Sequence, residues 1–104
     1  MQPKPQLRAR VTFLTRDQGG FTSAPKRSGI RPLMKVGDVF TSCCVWADSE
    51  GQVFEPGVEY EVGLELLGWK EYRHEIYAGM PLQLNQGSKQ VVGRGIILSI
   101  IGAT

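Results

Sequence analysis

The sequence predicts one all-β domain with six strands, arranged as a barrel or a sandwich. Apolar and polar residues alternate with a period of two through most of the 104 residues, as expected for half-buried strands. No stretch has the apolar spacing of an amphipathic helix, and clusters of turn residues separate the alternating runs. A chain of this length has room for one core, and closing the sheet removes its exposed edges. We expect a disordered or extended tail over residues 1–6 and the domain over residues 7–102.

The first part of the chain contains three predicted strands. The first covers residues 7–15 and has one apolar face, formed by Leu7, Ala9, Val11 and Phe13. A turn at residues 17–20 (DQGG) ends this strand, and residues 21–30 are predicted to form a long exposed loop. The second strand covers residues 32–36 and begins at Pro32, because proline cannot donate to a ladder. A turn at residues 37–38 leads into the third strand, over residues 39–46.

The fourth predicted strand, residues 58–66, has the most regular alternation. Its apolar face consists of Val58, Tyr60, Val62, Leu64 and Leu66. Its polar face carries three acidic side chains directed outward, Glu59, Glu61 and Glu65. Residues 68–78 are expected to form a loop with a short helical turn, and a fifth strand follows over residues 80–84.

The sixth predicted strand covers residues 91–101. Its apolar face is predicted to consist of Val92, Ile96, Leu98 and Ile100. Gly93 and Gly95 are expected on the opposite face, where they allow a bend or the close approach of another backbone.

The charge is distributed unevenly along the chain. Residues 1–40 contain eight basic and two acidic side chains, whereas residues 41–75 contain two basic and eight acidic ones. Such asymmetry indicates either a surface for nucleic acid or an acidic partner, or strands that pair and neutralise each other. The sequence leaves both interpretations open.

Few residues could carry catalysis or bind a metal. His74 is the only histidine and lies among charged residues, so we expect it to be solvated. The acidic residues of the fourth strand are spaced as a solvated row. Cys43 and Cys44 are adjacent on a strand and point to opposite faces, which disfavours a disulfide between them and the usual Cys-x-x-Cys zinc geometry. The sequence therefore predicts no enzyme, no metal and no cofactor.

The cysteines and the hydropathy pattern also bear on location. Two buried thiols without a disulfide framework suit a reducing compartment. No apolar stretch approaches the roughly 20 residues of a membrane helix, and the first residues have no apolar signal region. We expect a cytoplasmic protein without a membrane partner.

Four segments resemble, in order and at similar spacing, the third domain of elongation factor Tu. Residues 11–20 (VTFLTRDQGG) resemble the segment that opens that domain, and Arg31-Pro32 resembles its Tyr-Arg-Pro-Gln segment. Residues 55–57 (EPG) resemble its Met-Pro-Gly-Asp turn, and residues 87–97 (GSKQVVGRGII) resemble its last strand. The resemblance spans about residues 7–102. It implies a six-stranded antiparallel closed β-barrel in which the last strand pairs with the first.

The resemblance implies less about function. In the family this domain contacts aminoacyl-tRNA, the nucleotide-binding domain and the exchange factor. Three of the family's characteristic residues are replaced here, by Phe21, Leu33 and Ser88, although Arg31 matches. The chain has no Gly-x-x-x-x-Gly-Lys-Ser/Thr motif, so it is not expected to bind a nucleotide or hydrolyse GTP.

Two binding functions follow as hypotheses. The first is a non-catalytic module that docks a protein partner, such as a translation factor, a toxin or a larger subunit, with Glu59, Glu61 and Glu65 as part of its surface. The alternative is binding of tRNA-like RNA through residues 16–35, where cationic side chains contact phosphates and an aromatic ring stacks on a base. The predicted RNA-binding residues are Arg16, Phe21, Lys26, Arg27, Arg31 and Lys35.

Overall fold

Six strands close into an antiparallel barrel, which confirms the predicted fold class. The computed structural model describes residues 4–20 and 26–101. The barrel order is β1-β6-β4-β3-β7-β8, with β8 pairing back to β1 as expected. Its strands are β1 (Leu7–Phe13), β3 (Leu33–Val36), β4 (Val39–Trp46), β6 (Glu59–Leu66), β7 (Pro81–Gln86) and β8 (Gln90–Ile100). A two-stranded ribbon pairs β2 (Lys26–Arg27) with β5 (Val53–Phe54).

The alternating apolar residues form the barrel core. The predicted apolar face of β1 is buried throughout, as are Val62, Leu64 and Leu66 of β6. Phe54 of β5 is also buried, with its ring 5.3 Å from that of Phe13 and 5.2 Å from that of Tyr60. This packing holds β5 against the barrel and gives β2 a partner. The predicted loop over residues 21–30 is therefore wrong at Lys26–Arg27, and residues 21–25 lie outside the described part.

The segment after β6 has the short helical turn that the sequence predicts. It forms α1 (Trp69–Tyr72) followed by a 3-10 turn (Arg73–Glu75). Trp69 and Ile76 are buried and belong to the core. A second 3-10 turn (Arg16–Gln18) follows β1.

Two predicted apolar faces need correction, the first at the start of β6. Val58 is 47% exposed, because it belongs to a turn in which its N–H bonds to the carbonyl of Glu55. Gly57, with φ of 82°, supports this turn and donates its N–H to the carbonyl of Phe13. The inward alternation therefore begins only after Val58.

The second correction concerns β8, whose alternation is shifted by bulges. Val92 is an extra residue without a partner on β7, because the adjacent β7 residues Leu84 and Asn85 pair with Gly93 and Val91. Leu98 likewise has no partner on β1, because the adjacent β1 residues Ala9 and Arg8 pair with Ile97 and Ser99. The buried isoleucine is consequently Ile97, whereas Ile96 is 38% and Ile100 43% exposed.

Gly93 and Gly95 therefore share the inward side with Ile97 instead of opposing the apolar face. A Cβ atom on Gly95 would collide with the carbonyl oxygen of Arg10, and one on Gly93 would lie 3.3 Å from the Phe13 ring. The expected close approach of another backbone is thus present at Gly95.

Candidate binding surfaces

The acidic face of β6 is neutralised by its neighbour in the barrel. Arg8 on β1 contacts Glu61 at 2.8 Å and also Asp48 at 2.9 Å, and Arg10 lies 3.5 Å from Glu59. Hydrogen bonds from Arg8 hold the pKa of the Asp48 carboxyl below its ordinary value, and the same bonds raise the pKa of Arg8. The uneven charge along the sequence could indicate a binding surface or strands that neutralise each other. On this side of the barrel, the basic strand β1 pairs with the acidic strand β6, as the second interpretation expects.

The third predicted protein-binding residue, Glu65, also has partners within the chain. Its carboxylate accepts a hydrogen bond from the indole N–H of Trp46 at 3.0 Å and one from the backbone N–H of Lys4 at 3.5 Å. The structure places Glu59, Glu61 and Glu65 on one strand face, as predicted, with each of them engaged by a donor or cation of the same chain.

The predicted RNA-binding residues lie on different elements. Arg16 is in the first 3-10 turn, and Lys26 and Arg27 are in the β2–β5 ribbon. Arg31 lines a depression with Cys44 and Glu65, whereas Lys35 lines another with Arg94, and the two depressions share no residue. Phe21 lies outside the described residues. Among the described residues, the basic set is therefore spread over several elements, and Arg31 and Lys35 line separate depressions.

A strongly exposed leucine lies between two depressions at the end of β6. Leu67 is 85% exposed and lines both of them, together with Leu66. One depression, about 310 Å³, extends over Gly68 to Glu71, and the other, about 170 Å³, extends toward Arg31. Leu66 occupies the inward position, so the next residue must face outward. The consecutive Leu66-Leu67 pair is the sequence signal for this surface, because two adjacent leucines at a strand end cannot both point into the core.

A third depression, about 320 Å³, lies between β3 and β7. Lys35 and Gly37 line one side of it, and Pro81 and Gln83 line the other. Arg94 of β8, which sequence reasoning did not select, adds a second cation. The sequence carried no signal that would bring Arg94 beside Lys35, because that proximity depends on the strand order.

The cysteines are free, buried thiols. Burial raises the pKa of both Cys43 and Cys44, and this disfavours their reactive thiolate forms. Within residues 4–20 and 26–101, no three His, Cys, Asp or Glu side chains cluster in a way that could hold a metal ion. No helix in the same part of the chain has the length and apolar character needed to cross a membrane.

Comparison with known protein families and with curated proteins finds no match to this chain. The resemblance to the third domain of elongation factor Tu therefore stays a prediction from the sequence. The barrel geometry and its surfaces are the basis for a functional proposal.

Proposed function

We propose that this chain is a non-catalytic binding module that docks a protein partner through the surface around Leu67. The observation that carries the proposal is the 85% exposure of Leu67 between two depressions. An exposed apolar side chain flanked by concave surface is the geometry of an interface anchor, which becomes buried when a partner covers it. On the sequence resemblance, the candidate partners are a translation factor, a toxin or a larger subunit.

The charges around Leu67 suit the rim of an interface. Arg31 and Glu65 line the smaller depression, and Lys70 and Glu71 line the larger one. Protein interfaces commonly have an apolar centre and a polar rim, and both signs of charge at the rim select the orientation of the partner. This surface shares Glu65 with the acidic face of β6, but not Glu59 and Glu61, which contact arginines of β1.

Capture of partners by matched variants tests the proposal. The wild-type chain, Leu67→Asp and Val58→Asp are each immobilised and exposed to extract from the source cell, and bound proteins are quantified. Val58 is the control, because it is an exposed apolar residue in a turn that lines neither depression at Leu67. A protein held by the wild type and by Val58→Asp should be lost with Leu67→Asp, by at least about tenfold. Equal capture by all three folded chains would contradict the proposal.

RNA binding through residues 16–35 is the second candidate function. It is supported by the exposure of Arg27, Arg31 and Lys35, which leaves these cations accessible to phosphates. The test is titration of tRNA at increasing salt, where the logarithm of the affinity should fall linearly with the logarithm of salt concentration. The idea fails if tRNA does not bind at low salt, or if changing Arg27 and Arg31 to Glu leaves the affinity unchanged.

A further inference from the structure

The backbone pairing around the barrel is incomplete between β3 and β7. β3 and β7 are joined through only two residue pairs, Leu33↔Asn85 and Met34↔Leu84. Both strands continue beyond these pairs, β3 to Val36 and β7 back to Pro81, while each remains paired to its other neighbour. The two strands therefore diverge, and the 320 Å³ depression occupies the space between them. We call this depression the β3–β7 groove.

The groove has an apolar base and cationic sides. Val36 and Leu82 are buried, so the barrel core remains closed beneath it. Lys35 and Arg94 line the groove and are exposed, and neither has an ion pair within the described part of the chain. A nearby carboxylate is that of Glu75, whose Oε1 lies 3.6 Å from where a Cβ atom on Gly37 would be. The lining itself contains two cations and no acidic side chain, which favours an anionic occupant.

The backbone around the groove favours an extended occupant. No ladder pairing joins Lys35 and Val36 to the facing segment Pro81–Gln83 in the described structure. Unpaired strand segments of this kind are sites where a peptide adds by main-chain hydrogen bonds while its side chains provide specificity. The volume is at the lower end of the range of about 300–1,000 Å³ for ligand pockets. It therefore suits a few residues of a chain that passes through the groove.

We propose that the β3–β7 groove binds an extended acidic segment of a protein partner, whose carboxylates contact Lys35 and Arg94. This inference rests on the proposed function, since it assumes that the module docks proteins, but it assigns a second surface. The groove and the two depressions at Leu67 have no lining residue in common. The two proposals can consequently fail separately.

The test uses the full chain labelled with ¹⁵N and a capped synthetic peptide of alternating Glu and Val. Amide chemical shifts are followed by NMR up to millimolar peptide, a range that detects weak binding. We expect shifts that saturate and are confined to Lys35, Val36, Leu82, Gln83 and Arg94. The Lys35→Glu, Arg94→Glu double variant should weaken binding at least about tenfold, because both attractive contacts become repulsive. Glu75→Gln should strengthen binding.

Matched controls separate the groove from general electrostatic attraction. Lys89→Glu changes an exposed cation on the turn between β7 and β8 and should leave peptide affinity within about twofold. A peptide with Gln in place of Glu should bind far more weakly than the acidic one. The proposal is overturned if the two peptides bind equally, if Lys89→Glu weakens binding as much as the double variant, or if no localised shifts appear.

Two further measurements distinguish the proposals from each other and from RNA binding. Leu67→Asp should bind the acidic peptide like the wild type, even if it has lost its partner in the capture experiment. A short single-stranded RNA is titrated in parallel. If the RNA shifts the groove amides and the peptide does not, the groove is a nucleic-acid site and the proposal of an acidic protein segment is wrong.

Discussion

Arg8 connects two acidic side chains on the barrel surface. Its guanidinium donates to both carboxylate oxygens of Asp48 and to Glu61, and its side chain is 25% exposed. The Asp48 side chain is 67% exposed, so solvent screens the contact strongly. Exposed ion pairs contribute about 0–1 kcal/mol to the free energy of unfolding. We expect Arg8 to orient the loop after β4 more than to stabilise the fold.

The Arg8 to Asp48 contact predicts a pH-dependent coupling. The lowered pKa of Asp48 means that the folded state binds its proton more weakly than the unfolded state does. The stabilisation is therefore present above the ordinary value of 3.8 and is lost as pH falls through the lowered pKa. A double-mutant cycle of Arg8→Ala and Asp48→Ala should give a coupling of about 0.5 kcal/mol at neutral pH and none in strong acid. An unchanged coupling in acid would contradict this assignment.

The burial of both cysteines predicts that their thiols react in the denatured chain but not in the folded one. Cys43 is 1% and Cys44 4% exposed, and burial raises the pKa of both thiols. Since the thiolate is the reactive form, neither should react with Ellman's reagent at neutral pH while the chain is folded. Both should react rapidly in guanidinium chloride, and Cys44→Ser should reduce the denatured count from two to one. Fast reaction of the folded chain would show that this part of β4 opens readily.

Strand β8 depends on glycine for its close approach to β1. A Cβ atom on Gly95 would collide with the Arg10 carbonyl and reach 3.0 Å from Cα of Val11, which are backbone atoms in a paired strand. At Gly93 the nearest atoms belong to the Phe13 and Leu84 side chains, at 3.3 and 3.5 Å. Side chains shift more readily than a paired backbone does.

Gly95→Ala should accordingly destabilise the chain more than Gly93→Ala. We expect about 3 kcal/mol of lost unfolding free energy for Gly95→Ala and about 1 kcal/mol for Gly93→Ala. Urea denaturation followed by circular dichroism measures both. Equal midpoints for the two variants would mean that β8 can move away from β1 without a large effect on stability.

The sequence predicted the strands whose alternation is uninterrupted, and it failed where the register shifts. The alternation of β1 persists through the strand, so its buried face was predicted residue by residue. In β8 a bulge at Val92 and another at Leu98 change which residues face inward. Gly93 beside the first bulge indicates a bend, but it does not show which residue is the extra one. Strand β2 is only two residues long, and its pairing depends on Phe54 being packed against the core. These features arise from contacts between distant segments.

For the candidate sites, the direction of a side chain was predictable from the sequence, but its contacts with other strands were not. The outward direction of Glu59, Glu61 and Lys35 follows from local alternation and was predictable. The partner that each side chain meets is set by strand order, which neighbouring residues do not encode. Strand order places Arg8 beside Glu61 and brings Arg94 to the groove that Lys35 lines. Glu59 and Glu61 are consequently paired with arginines, whereas neither Lys35 nor Arg94 has an ion pair among the described residues.

Over the whole molecule, barrel topology distributes the charge of the two segments unequally. β1 from the basic segment pairs with β6 from the acidic segment, and Arg8 and Arg10 contact acidic side chains there. On the other side, β7 lies between β3 and β8 and contains no charged residue. Nothing on β7 can neutralise Lys35 or Arg94. A small overall charge of +2 is therefore compatible with a locally cationic groove.

Closure by β8 is the property on which the whole fold depends. β8 pairs with β1 on one side and β7 on the other, and it buries Val92 and Ile97 completely. Removing it would leave two unpaired edges and uncover the core, and each lost side chain contributes about 1.5–3 kcal/mol through burial. The glycine-dependent contact of β8 with the Arg10 backbone would also disappear. These losses compare with a typical total stability of about 5–15 kcal/mol.

A chain ending at Gln90 should therefore not fold into a stable monomer. We expect no cooperative thermal transition by circular dichroism, and aggregation in size-exclusion chromatography, because β1 and β7 would both present edges for pairing between chains. A chain ending at Ile101 is the control; it retains β8 and should melt like the full chain. If the chain ending at Gln90 stays monomeric and melts cooperatively, barrel closure does not determine stability, and the resemblance predicted from the sequence would have to be withdrawn. A destabilisation by Gly95→Ala would then also need a different explanation, because Gly95 contacts the Arg10 backbone in the same pairing of β8 with β1.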